Sequence, residues 1–118
     1  MNELAQLHCI RVGASTPRLN ENEIIQYKAK LPAWCTYEKD GEPRLEKVFK
    51  FGNFDQALAF TDKVAQAASV EDHHPAILTE WGKVTVTWWT HKIKGLHQND
   101  FIMAAKTDQL YDGSSQGA

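Results

Sequence analysis

From Lys83 to His91 the chain alternates: Val84, Val86 and Trp88 fall on one side of an extended backbone, Thr85, Thr87, Trp89 and His91 on the other. That spacing predicts a strand with one apolar face. Upstream, "AILTEW" reads as a second strand joined to it by a turn at Gly82. A different period governs "FDQALAFTDKVAQAAS". Phe54, Leu58, Ala65 and Ala68 form one helical stripe, which Phe60, Val64 and Ala67 widen. Asn53 is placed to cap this helix, with Gln56 in the reciprocal position. An earlier helix is expected from Asn20, where Glu23 completes a capping-box pattern. Ile24, Ile25, Tyr27, Lys28 and Leu31 give it an apolar side, and Pro32 ends it. Between the two helices "WCTYEKDGEPRLEKVFKF" has β-rich ends around Asp40-Gly41, a strong hairpin dipeptide. A last helix covers about Asn99 to Leu110. Residues 1–19 read as irregular because of Gly13, Ser15 and Pro17, and residues 112–118 as a frayed tail.

The order is helix, two strands, helix, two strands, helix. Strands joined by short turns pair antiparallel, and an amphipathic sheet needs a helical cover. The fold class expected is α+β: a two-layer domain with a four-stranded antiparallel sheet and helices packed on one face.

A chain of 118 residues implies one domain, residues 1–118, able to bury a core without disulfides. The formal charge of −2 argues against a general nucleic-acid or anionic-membrane binder. Two cysteines, Cys9 and Cys35, stand in no metal-ligand spacing and read as reduced thiols. "MNELAQLHCIRVGAS" has no basic segment followed by an apolar one, and no apolar run approaches the roughly 20 residues of a membrane helix. The location expected is the cytoplasm.

Candidate chemistry concentrates in "EDHHPAILTEWGKVTVTWWTHKIKGLHQND", which holds His73, His74, His91 and His97. Pro75 forces His74 into an extended conformation, so the preceding helix must stop before it. Adjacent side chains of an extended segment diverge, which places His73 and His74 poorly for one shared metal. A zinc site using two histidines and Glu71 or Asp72 is the competing reading, and no recognised metal spacing supports it. No motif supports a Ser or Cys nucleophile. His73, His74 and His91 suit general acid–base work, because imidazole holds both protonation states near neutral pH. Asp100, near the start of the last helix, is favoured there by the helix dipole and could orient an imidazole. Trp34, Trp81 and Trp88 read as core or sheet residues. Trp89 shares a face with His91 and could border a flat aromatic ligand.

"HHP", the aromatic Trp81, "KVTVTWWTH", then "GL" and an aspartate closely resemble the pterin-4a-carbinolamine dehydratases. The run from His73 to Ala105 is similar to bacterial members associated with phenylalanine hydroxylase, and "LEKVFKFGNFDQALAFTDKVA" resembles the family's hairpin and long helix. The resemblance spans roughly residues 30–110. It implies an antiparallel sheet with helices on one side. It implies a hydro-lyase that dehydrates 4a-hydroxytetrahydrobiopterin to quinonoid dihydropterin and so recycles the cofactor of aromatic amino-acid hydroxylation. No metal and no organic cofactor is implied. The family's catalytic positions fall on His73, His74 and His91, and its substrate contacts on His73, His74, Pro75, Thr90, His91, Lys92 and Ile93. Asp100 follows as an orienting group behind them. A homodimer or homotetramer and a link to phenylalanine hydroxylase are implied as partners.

Two positions depart from the family pattern. Ser69 stands where many relatives carry a glutamate, and Glu71 could replace it. His97 stands where many carry Thr or Ser, which is expected to break the helix cap. His8 and Cys9 fall outside the resemblance. A binding role remains an alternative, because relatives in animals act as dimerisation partners of a transcription factor. The intact histidine triad favours the enzyme. An RNA-binding sheet is disfavoured by the acidic balance and the missing aromatic strand motif.

Overall fold

The computed structural model describes residues 3–113. Asn20 caps α1 (Glu21–Ala29) as expected: its side chain accepts from the Glu23 N–H, and the Glu23 carboxylate accepts from the Asn20 N–H. A hairpin follows, β1 (Cys35–Lys39) and β2 (Glu42–Lys50). Asp40 and Gly41 take φ values of 55° and 77°, the left-handed pair that matches the twist of a two-residue hairpin. The chain then forms α2 (Phe54–Glu71), β3 (Ala76–Glu80), β4 (Lys83–Trp88) and α3 (Gln98–Asp112).

All strand pairs are antiparallel, in the order β1-β2-β4-β3. The α+β fold with a four-stranded antiparallel sheet is therefore as the pattern indicated. Leu45 and Phe49 of β2, with Val84, Val86 and Trp88 of β4, present the apolar face. Onto it pack Ala57, Phe60, Val64 and Ala68 of α2 and Phe101, Ile102, Ala104 and Ala105 of α3 in one continuous core. No described helix is long and apolar enough to cross a membrane.

Several expectations change. The buried stripe of α2 is Ala57, Phe60, Val64 and Ala68, whereas Phe54 and Leu58 are more than 40 % exposed. This alanine-rich helix carries two apolar stripes, and the sheet takes the one bearing Phe60 and Val64. Trp81 is not a core residue. It sits on the β3–β4 turn, 73 % exposed, because Gly82 in the left-handed region reverses the chain there. β4 ends at Trp88, not at His91. Thr90 and Gly95 form an isolated bridge that pinches off residues 91–94, so His91 opens a 3-10 turn, His91–Ile93. α3 extends one residue earlier and two later than expected, to Asp112. Of the tail expected to fray, residues 114–118 lie outside the described residues.

The largest difference is at the N-terminus. Residues 3–12 begin with a 3-10 helix, Glu3–Gln6, and pack on α3 with Leu4, Ala5 and Val12 buried. Tyr27 of α1 stacks on Phe101 at 5.1 Å between ring centroids. Residues 99–105 are consequently buried all round, between the sheet and the N-terminal segment.

Candidate active site

α2 ends where the sequence changes from alanine-rich to "EDHHP". Asp72 takes the left-handed conformation (φ 53°), and the His73 N–H reaches back to the Ala68 carbonyl at 3.1 Å. This helix-terminating geometry turns His73 inward. Its ring lies parallel to the Trp88 indole, 5.9 Å between centroids and 8° between planes. Its Nε2 donates to Asp100 Oδ1 at 2.7 Å. Nδ1 is thus the ring nitrogen left for a ligand.

Asp100 is fully buried. Besides His73, its Oδ2 accepts from Thr90 Oγ1 at 2.8 Å and from the His97 N–H at 2.9 Å. One carboxylate therefore ties together the exit of α2, the loop after β4 and the start of α3. Charged hydrogen bonds of this kind are short and strong, and a buried carboxylate needs them.

His97 does not break the helix cap. Its Nδ1 accepts from the Asn99 N–H at 3.0 Å, while Asp100 accepts from the His97 N–H, so an imidazole completes a capping box. Sequence reasoning missed this because histidine is an unusual cap, and only its neutral form offers the lone pair. Burial pushes the His97 pKa below its ordinary 6.5, and the positive character of nearby His73 adds to this, against the opposing pull of Asp100 and the Asn99 hydrogen bond. The cap's contribution is therefore present above pH 6.5 and is lost as the pH falls from there through the depressed value. Urea unfolding of His97→Ala should show a loss of about 1 kcal/mol at neutral pH. His97→Ser should restore the cap and flatten the acid limb of the stability curve.

In front of this buried cluster lies a cavity of about 500 Å³, bordered by His73, Thr90 and Asn99 but not by Asp100 or His97 themselves. His73 and His74 enter from the α2 exit, and Trp89, Thr90, His91 and Lys92 from the loop after β4. His74 and His91 are exposed, and neither ring makes a hydrogen bond among the described residues. Trp89 stands between the His91 ring, 4.4 Å away, and the Arg44 guanidinium, 3.9 Å from its centroid. The three histidines named from sequence thus share one wall system, with Asp100 directly behind His73. Pro75 and Ile93 do not line the cavity, and Ile93 is buried beneath the 3-10 turn.

The remaining walls come from residues the sequence did not single out: Cys9, Ile10, Arg11 and Val12 from the N-terminal segment, and Asn99. Glu71 also borders the cavity, and both its oxygens are engaged: Oε1 by the Cys9 N–H at 2.8 Å and Oε2 by His8 Nδ1 at 2.7 Å. Burial alone would raise the Glu71 pKa, but these two hydrogen bonds and the Lys106 charge outweigh it and hold the carboxyl below its ordinary range. Ser69 is exposed and not part of the lining. The Cys9 thiol is pushed up to about 12, by burial first and then by the charges of Glu71 and Asp100. It is neutral at physiological pH and offers no thiolate nucleophile. Among the described residues no group of three or more His, Cys, Asp or Glu is gathered to hold a metal ion.

The profile of the family described as "Pterin 4 alpha carbinolamine dehydratase" matches residues 17–110. The chain belongs to the pterin-4a-carbinolamine dehydratase family. A protein of Microcystis aeruginosa that bears the family's name is 55 % identical over 111 residues, 94 % of this chain and 96 % of the relative. Among solved structures, a transcriptional coactivator/pterin dehydratase from Brucella melitensis is 32 % identical with a TM-score of 0.72, over 80 % of this chain and 99 % of that one. A pterin dehydratase-like protein identified as a RuBisCO assembly factor in the alpha-carboxysome is 31 % identical with a TM-score of 0.58, over 70 % and 93 %. The activity is that of a dehydratase, a hydro-lyase acting on a pterin. The family profile begins at residue 17, so the N-terminal wall of the cavity lies outside it.

Proposed function

We propose that the chain, acting as a single domain in the cytoplasm, dehydrates 4a-hydroxytetrahydrobiopterin by histidine acid–base catalysis and so returns the pterin cofactor to phenylalanine hydroxylase. The observation that carries the reading is the convergence of His73, His74 and His91 on one cavity, with Asp100 buried behind His73. Loss of the hydroxyl breaks the bond between the 4a carbon and oxygen. The leaving oxygen needs a proton, and the neighbouring ring nitrogen must give one up as its electron pair forms the new carbon–nitrogen double bond. The products are water and the quinonoid dihydropterin, so no net proton is consumed and two positioned imidazoles suffice.

His73 and His91 serve as acids reaching the hydroxyl from either side, and His74 binds the substrate and relays the proton. Trp89 offers an aromatic edge to the planar ring system. The binding residues are His73, His74, Thr90, His91 and Lys92; Pro75 and Ile93 support the backbone that carries them. Thr90 has its hydroxyl committed to Asp100, so it contributes through that backbone as well. No metal or organic cofactor takes part.

Phe54, Leu58, Leu78, Val70 and Trp81 are exposed large apolar side chains on α2 and the β3–β4 hairpin. Such a surface supports a homodimer or homotetramer. The coactivator and assembly-factor titles of the two structural relatives raise a binding role for this fold, but a binding module needs no set of imidazoles around a cavity.

The deciding experiment follows the absorbance of 4a-hydroxytetrahydropterin generated in situ, with spontaneous dehydration as baseline. Clear acceleration by the purified chain is expected. A folded sample that leaves the spontaneous rate unchanged would overturn the catalytic reading.

A further inference from the structure

The N-terminal segment reaches the cavity through two clamps. At the first, Glu71 holds the His8 ring and the Cys9 N–H with its two oxygens. At the second, the Asn99 side chain pairs with both backbone groups of one residue: Oδ1 accepts from the Ile10 N–H at 3.0 Å, and Nδ2 donates to the Ile10 carbonyl at 2.8 Å. Lys106 adds a hydrogen bond to the Ala5 carbonyl at 2.9 Å. The anchors are placed where the chemistry is. Glu71 lies two residues before His73, and Asn99 is adjacent to Asp100. Asn99 is 1 % exposed, so its amide is held to this one task. A segment tied this closely to the two catalytic elements is ordered with them, although it lies outside the family profile.

The clamps carry Arg11 to the cavity wall. Arg11 is exposed and, among the described residues, is in no ion pair. A guanidinium offers a planar fork of donors, two of which can meet the lone pairs of one carbonyl oxygen on a flat heterocycle. A pterin presents such an acceptor in its ring carbonyl oxygen; the ring nitrogens beside it carry hydrogen in the substrate.

We infer that residues 8–12 are a substrate-binding strap, clamped by Glu71 and Asn99, and that Arg11 binds the ring carbonyl oxygen of the pterin. The inference rests on the reading of this cavity as the pterin site. It also assigns Glu71: its carboxylate is occupied as a clamp and does not replace the acid–base group missing at Ser69.

The test measures the affinity for 7,8-dihydrobiopterin by quenching of tryptophan fluorescence, beside KM and kcat for dehydration and the melting temperature. Arg11→Ala should weaken binding and raise KM about tenfold, the scale of one charged hydrogen-bonding contact, with kcat within twofold and the melting temperature unchanged. Arg11→Lys should recover part of the affinity, because the charge returns without the fork. Glu71→Gln should raise KM through the same contact, so adding it to Arg11→Ala should cost little more than Arg11→Ala alone. If the wild-type chain binds the pterin and Arg11→Ala binds it equally well, the strap assignment fails while the pterin site stands. A lower melting temperature with KM unchanged would likewise mean that the segment only braces the fold. If the wild-type chain neither binds the pterin nor accelerates its dehydration, the pterin reading itself fails and the strap assignment falls with it.

Discussion

Asp100→Asn is expected to leave the fold standing and to lower kcat by about a hundredfold or more, the scale of losing one positioned acid–base group. The substitution preserves shape. An asparagine oxygen can still accept from Thr90 Oγ1 and the His97 N–H, the two bonds now made by Oδ2. The change falls on the other side of the group. Asp100 Oδ1 now accepts from His73 Nε2 at 2.7 Å. An amide placed there presents N–H instead, which can only be met by an unprotonated Nε2. The proton on a neutral His73 must move to Nδ1, the nitrogen left for the substrate, and the ring can no longer accept a proton there. A double deprotonation is out of reach, so the tautomer is locked in the wrong sense for relaying a proton. Asp100→Ala should behave differently. It strands three donors in a fully buried site, and at roughly 1–3 kcal/mol for each unsatisfied group the fold should lose on the order of 3–5 kcal/mol. Chemical denaturation and steady-state kinetics on both variants separate the two effects. Asp100→Asn with full kcat would show that the tautomer of His73 is irrelevant to turnover.

Much of this architecture could be read from the chain because local signals and the global fold agree. The alternation through Val84, Val86 and Trp88, the Asp40-Gly41 turn and the Asn20 capping box each specify one local geometry, and the core satisfies all three. Where several faces were compatible with the pattern, the sequence was ambiguous. α2 has apolar residues on two stripes, and only packing against the sheet shows that Phe60, not Phe54, is the inward aromatic. The site divides in the same way. His73, His74 and His91 carry a spacing that a reader of sequences can find. Arg11, Cys9 and Asn99 reach the cavity through tertiary contacts spanning 62 to 90 residues, for which no local pattern exists. The His97 cap was missed for a chemical reason: its acceptor exists only when burial keeps the ring neutral.

His91→Ala is the cleaner probe of the acid itself, and kcat should fall by roughly 10²–10⁴ with stability nearly unchanged. His91 is exposed, and its ring makes no hydrogen bond among the described residues. Its ring meets that of Trp89, which Arg44 covers independently at 3.9 Å. The loop that presents it is held by backbone, the Thr90 N–H to the Gly95 carbonyl at 2.9 Å, and by the Thr90 hydroxyl on Asp100. None of these bonds involves the imidazole, so truncation should move stability by no more than about 0.5 kcal/mol. His73→Ala cannot be read so simply. It opens a gap beside Trp88 and leaves Asp100 short of one partner, so lost activity would mix chemistry with repacking. The comparison therefore runs from His91→Ala to the double variant with His73→Ala. If the two imidazoles approach the hydroxyl from opposite sides, either one alone retains partial catalysis, and removing both should bring dehydration back to the spontaneous rate. Full activity in His91→Ala would pass the role of acid to His74, the other exposed imidazole on the cavity. The proton would then reach the hydroxyl from the α2 exit alone, and His91 would act with Trp89 as part of the wall against which the pterin lies.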